Sequence, residues 1–212
     1  MGKFLNGILD NVRGKVGSVV GSAWKGMPVV RSKSHPRSGK PTQAQLEQQA
    51  KFGFMIKFLH PLNPLLTQTY KKLAVGMTGF NSAISDNILH AISGQYPAYG
   101  VDYSAVRLGS DNLPNVVTPA CTSPSAGQLA FTWKNNSGST KAKATDKVFA
   151  AAYSETVNDW IYQLDTAARN AEACTLDATA FSGQSVQTWL GIISTDGKFV
   201  SRGMFTGVVT VL

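Results

Sequence analysis

Five cations, Lys25, Arg31, Lys33, Arg37 and Lys40, lie within sixteen residues that hold no acid, with Trp24 alongside. Ammonium and guanidinium groups at that density suit phosphate oxygens, which they neutralise and position without reading base sequence. The same run also fits a solvated loop, or the counterpart of acids on a neighbouring subunit. A tryptophan at a strand end more often belongs to a core or an interface than to a base-stacking platform. The five are therefore candidate polyanion-binding residues, and the neighbouring-subunit reading stands beside the nucleic-acid one.

Other chemistry finds no foothold in the spacing. His35, His60 and His90 do not fall at metal-ligand intervals, and Cys121 and Cys174 belong to no paired-cysteine motif. Gly14, Gly17, Gly21 and Gly26 do not space as a dinucleotide fingerprint, and Gly39-Lys40 runs into Pro41 where a phosphate loop needs Ser or Thr. Glycines in that pattern let backbones pack closely. There is no nucleophile-elbow serine, and Asp86 and Asp146 have no evident partner in the sequence. The expectation is a non-enzymatic protein with no catalytic residue, no metal and no cofactor.

With 212 residues and 43% hydrophobic content the chain can bury a sizeable core, while charged residues are sparse at 15% and glycine is plentiful at 20 residues. Residues 1–110 hold 13 Lys/Arg against 4 Asp/Glu, and residues 111–212 hold 7 against 8, so nearly all of the net charge of +8 falls in the first half. A basic half joined to a neutral half implies two modules with different neighbours. No apolar run reaches the length of a membrane span, and the start lacks a sustained apolar core with a cleavage site. Synthesis in the cytoplasm is expected, with incorporation in a virion or an extracellular assembly open, and both cysteines as reduced thiols.

These residues need elements to hold them. Phe4, Leu5, Ile8, Leu9 and Val12 fall at helical spacing, but Gly2, Gly7 and Gly14 equally allow a short packing arm. From Val16 the pattern alternates. Val16, Val20 and Trp24 point one way, and Gly17, Val19, Gly21 and Ala23 the other; Lys25-Gly26 then turns the chain into a return strand, 27–32. After the polar connector 33–41, Thr42 with Gln45 forms a capping box. Leu46, Ala50, Phe54 and Phe58 stack behind it, and Phe52, Met55, Ile56 and Leu59 widen the apolar surface beyond a single stripe, which predicts a helix covered on most sides. Asn63-Pro64 restarts a helix with Asn63 as N-cap, and a third spans about 81–93 before Gly94.

From Tyr96 onward the period becomes two. The expected strands are 101–108, 128–133, 147–153, 160–164, 173–176, 186–194 and 199–211, with Asp196-Gly197 the firmest turn. Seven strands with Trp133 and Tyr153 inside them predict an immunoglobulin- or fibronectin-like β-sandwich. The fold class is thus an α+β N-terminal module, a strand pair plus about three short helices over residues 1–98, followed by an all-β sandwich over 99–212.

The order of landmarks resembles an uncharacterised domain-of-unknown-function family widespread in Bacteroidota. It rests on Gly2-Lys3-Phe4-Leu5-Asn6-Gly7-Ile8-Leu9, Gly14-Lys15-Val16-Gly17, Val20-Gly21-Ser22 and Trp24-Lys25-Gly26. Val30-Arg31-Ser32-Lys33, Thr42 with Ala44-Gln45, Ala50-Lys51-Phe52 and Ala180-Phe181-Ser182-Gly183 continue it over nearly the whole chain. Gly39-Lys40 stands where the family more usually has an asparagine-containing stretch. The resemblance implies the two-module fold and transfers no activity.

Low charge, glycine-faced strands and an over-apolar helix lead to one reading: a structural subunit that self-assembles, in a phage or phage-like particle or a filament. Its contacts would use Phe4, Leu5, Ile8, Trp24, Val29 and Phe54, and its partners would be further copies or other subunits. The alternative is a nucleic-acid-binding accessory protein that meets phosphates through the basic connector. A carbohydrate- or surface-binding sandwich would rest on fold analogy alone.

Overall fold

The computed structural model describes residues 2–3, 12–24, 26–34, 39–138 and 141–212. It divides into two compact units, Met1–Gln43 and Ala44–Leu212. The division expected at 98/99 lies inside the second unit, because the helices share a core with the sheet that follows them.

In the first unit β1 (Gly2–Lys3), β2 (Gly14–Val16), β3 (Val19–Trp24) and β4 (Met27–Ser32) form one antiparallel sheet in the order β1-β4-β3-β2. Four strands thus stand where a strand pair is expected. Gly17, at φ +59°, and Ser18 make a two-residue turn that pairs Val16 with Val19. Cross-strand partners share a face, so this turn moves Val16 off the Val20 face on which simple alternation places it. Gly21 permits the close approach that its bareness foretold: a Cβ there would run into the carbonyl of Val12. The approaching backbone is the chain's own.

The second unit holds α1 (Gln43–Leu59) from its second residue onward, then a short 3₁₀ turn, α2 (Asn63–Thr69) and α3 (Gly79–His90). Two helices are substantial, and the expected second one shrinks to seven residues with Asn63 inside it rather than capping it. Thr78 is the side chain that caps α3, accepting from the Asn81 N–H. Gly79 follows because a Cβ there would sit 2.7 Å from the Thr67 carbonyl. Gly94, expected as a helix stop, instead lies in β5 (Ile92–Gln95), which pairs with β6 (Ala98–Val101) as a hairpin.

The expected strand 101–108 ends at Val101. Asp102 then accepts hydrogen bonds from the Ser104 N–H and hydroxyl, and the chain turns into a 3₁₀ segment, Tyr103–Ala105. A strand that hydrophobic patterning missed follows, β7 (Val117–Ser125). Pro119 and Pro124 disguise it, and they are tolerated because β7 lies at a sheet edge. The remaining strands are β8 (Gln128–Lys134), β9 (Lys147–Ser154), β10 (Asp159–Gln163), β11 (Ala173–Asp177), β12 (Ser185–Ile193) and β13 (Met204–Thr210). They form a sheet β11-β8-β7 facing a sheet β10-β9-β12-β13, a seven-stranded fibronectin-like sandwich.

Its four-stranded sheet is buried on both faces. Val148, Ala150 and Ala152 of β9 point into the sandwich against Leu129, Phe131 and Leu176, while Phe149, Ala151 and Tyr153 point outward against the helices. Burial on both sides explains why β9 reads as an unbroken apolar run. Met55, Phe58 and Leu59 of α1 lie on that outer face, and the remaining apolar positions of the helix are half-buried or, like Phe52, exposed. The helix expected to be covered on most sides, with a neighbouring subunit as one of its possible covers, is covered on one side by its own sandwich.

Candidate interaction surface

Three of the five candidate cations, Arg31, Lys33 and Lys40, are exposed; Lys25 and Arg37 lie outside the described residues. Arg31 is opposite Val20 in the ladder, and Val20 is opposite Lys15, so Lys15 and Arg31 share one face two strands apart. Arg13 and Lys15 are exposed as well, and sequence reading left both out. Residues 1–43 carry eight Lys/Arg against the single Asp10, or +7 of the total +8. The charge boundary therefore coincides with the boundary of the small sheet, which halving the chain at residue 110 blurred.

Of the six candidate contact residues, Phe4, Leu5 and Ile8 lie outside the described residues. Trp24 is 43% exposed at the turn end of the β3–β4 hairpin, opposite Met27. Val29 is buried, which withdraws it from outside contact, and Phe54 is half-buried on α1. Among the described candidates, Trp24 alone is exposed.

Partners appear for both aspartates that had none in the sequence. Asp86 accepts from the Tyr70 hydroxyl at 2.8 Å and from Arg107 at 3.1 Å, beside His90. Burial, and next the Asp86 charge, push the Tyr70 phenol far above its ordinary range. Asn87 completes a closed frame, donating to the Arg107 carbonyl and accepting from the Arg107 N–H. Asp146 forms a fully buried ion pair with Arg169 at 3.3 Å, and Arg169 also donates to Asn136 and to the Pro114 carbonyl. These groups join α3 to the segment before the sandwich and fasten the ends of β9 and β11; neither cluster presents a nucleophile.

Cys121 on β7 and Cys174 on β11 both stand opposite Phe131 of β8, and both are free thiols. Two strand spacings separate them, about 10 Å, too far for a disulfide. Burial pushes the Cys121 thiol up to about 12 and raises that of Cys174. Such thiols resist becoming nucleophiles or metal ligands. Among the described residues no group of three His, Cys, Asp or Glu side chains could hold a metal ion.

Sheet order, helical layer and small basic sheet define a fibronectin-like sandwich with two additions, one packed on its outer face and one forming a unit of its own. The chain belongs to DUF6266, a family of unknown function, whose model matches residues 11–207. No curated protein matches it. Among solved structures it is similar to the fn3 domain of human collagen alpha-1(XX) chain, at 12% identity and a TM-score of 0.36 over 49% of this chain and 90% of that one. A computationally redesigned β-sandwich protein matches at 11% identity and a TM-score of 0.34, over 47% of this chain and 93% of that one. A myokine structure matches at 14% identity and a TM-score of 0.30, over 45% and 95%.

Proposed function

We propose that this chain is a structural subunit that assembles with copies of itself through its first unit, in a phage or phage-like particle or a filament. The carrying observation is the small sheet's poverty of core. Among its described residues only Gly21 and Val29 are buried, while Val16 is 62% and Trp24 43% exposed. Sheets of this size are marginal without a further surface to pack against. Light scattering on the eluting protein tests the reading: an oligomer is expected, and Trp24→Ser shifts it toward monomer. A wild-type chain that stays monomeric at high concentration overturns it.

The charge of the same unit favours a second reading, contact with nucleic acid phosphates. It requires binding that weakens by orders of magnitude as salt rises, and a combined Arg31, Lys33 and Lys40 to Gln variant that no longer binds. Absence of DNA or RNA binding at low salt removes it.

A further inference from the structure

The connection between α2 and α3, residues 70–78, carries an exposed apolar tip. Leu73, Val75 and Met77 are 49%, 84% and 39% exposed within five residues. Packing inside the second unit does not account for a valine side chain left 84% in water, and clustered apolar exposure marks a contact surface. Lys71 and Lys72, both exposed, open the segment.

More lysines converge there from distant parts of the chain. Lys72 Nζ lies 4.4 Å from the centre of the Phe199 ring, and Lys141 Nζ lies 4.9 Å from the centre of the same ring. Lys198 is next in the chain and largely exposed, with Asp196 at 3.7 Å. The Asp196 carboxyl is held below its ordinary range chiefly by the Ser194 hydroxyl and more weakly by Lys198 and Lys143. Thr195 donates to the Thr145 carbonyl at 3.0 Å, so the two lysine-bearing loops are tied together.

Charge alone would suit any polyanion, but a phosphate backbone has no use for three exposed apolar side chains beside the lysines. A lipid interface uses both, taking apolar side chains into the headgroup–acyl boundary and lysines against anionic headgroups. We propose that residues 71–78, with Lys141, Lys143 and Lys198, form a surface that docks on an anionic lipid bilayer. The chain lies on the membrane there; among the described residues no helix is long and apolar enough to cross it.

Flotation of the full-length protein with vesicles tests this, because aggregates and oligomers alone do not float. The protein is expected to float with vesicles of phosphatidylcholine and phosphatidylglycerol at low salt, and to stay behind with phosphatidylcholine alone or at high salt. Val75→Asp should lower apparent affinity about tenfold, and Lys72, Lys141, Lys143 and Lys198 changed together to Gln by at least about as much. Both variants should keep the wild-type melting curve and oligomeric state, since all these side chains are exposed. Failure to float overturns the proposal. So does a Val75→Asp protein that floats like wild type, which leaves charge as the whole interaction. Loss of flotation in an Arg31, Lys33 and Lys40 to Gln variant, with the lysine-cluster variant unaffected, overturns it also by moving the contact to the first unit.

Discussion

Single side chains set the limits on chemistry in this molecule. Cys121 titrates only well above neutrality, because the thiolate would have to form half-buried between sheet neighbours. Alkylation of the folded protein by iodoacetamide at pH 8 should therefore be far slower than alkylation after denaturation, and rapid labelling of both thiols in the native state would contradict the packing. The sign of the linked pH effect follows: a thiol raised from 9.0 to about 12 supports the fold below pH 9 and loses that support as pH rises through 12, which Cys121→Ser should flatten. Asp146 is the opposite case, a charge held inside by Arg169. Asp146→Ala leaves that guanidinium buried without its counter-ion and should cost about 3–5 kcal/mol, read as a fall in denaturation midpoint. A loss below about 1 kcal/mol would mean that the pair does not hold the β9 and β11 ends together.

At the scale of elements, close approach decides what sits on what. Gly191 of β12 takes the ring of Phe149 against its bare Cα, and Gly21 of β3 takes the Val12 carbonyl in the same manner. Gly21→Ala should disrupt the small sheet and the oligomer with it while leaving the melting of the second unit unchanged; a variant that still assembles would detach assembly from this sheet. Helix α1 is fixed by Trp160, whose indole donates to the Phe58 carbonyl at 2.7 Å within a cluster that includes Tyr103, Tyr153 and Trp189. None of this is visible locally. The spacing of α1 announces an apolar helix but not the sheet face that receives it, and β7 escapes notice because edge strands need neither strict alternation nor freedom from proline.

For the whole molecule, both hydrophobic cores are drawn from residues 55–211. A chain lacking residues 1–41 should therefore fold cooperatively with an unchanged melting temperature and run as a monomer; an unfolded product would mean that the small sheet is part of the stability of the rest. That truncation also removes nearly all of the excess positive charge. Its elution and salt response then separate assembly from polyanion binding, the two properties proposed for the first unit.

The sequence alone located six of the seven sandwich strands, β8 to β13, and the concentration of positive charge toward the start. These follow from two-residue periodicity, turn chemistry and composition, which act over a few neighbouring residues. Only the tertiary structure decided that α1 covers its own sandwich, that Asp86 and Asp146 have partners, and that Lys72 and Lys141 meet on Phe199. Such contacts join positions tens to more than a hundred residues apart, and pattern along a chain holds no measure of which distant surfaces will exclude water together.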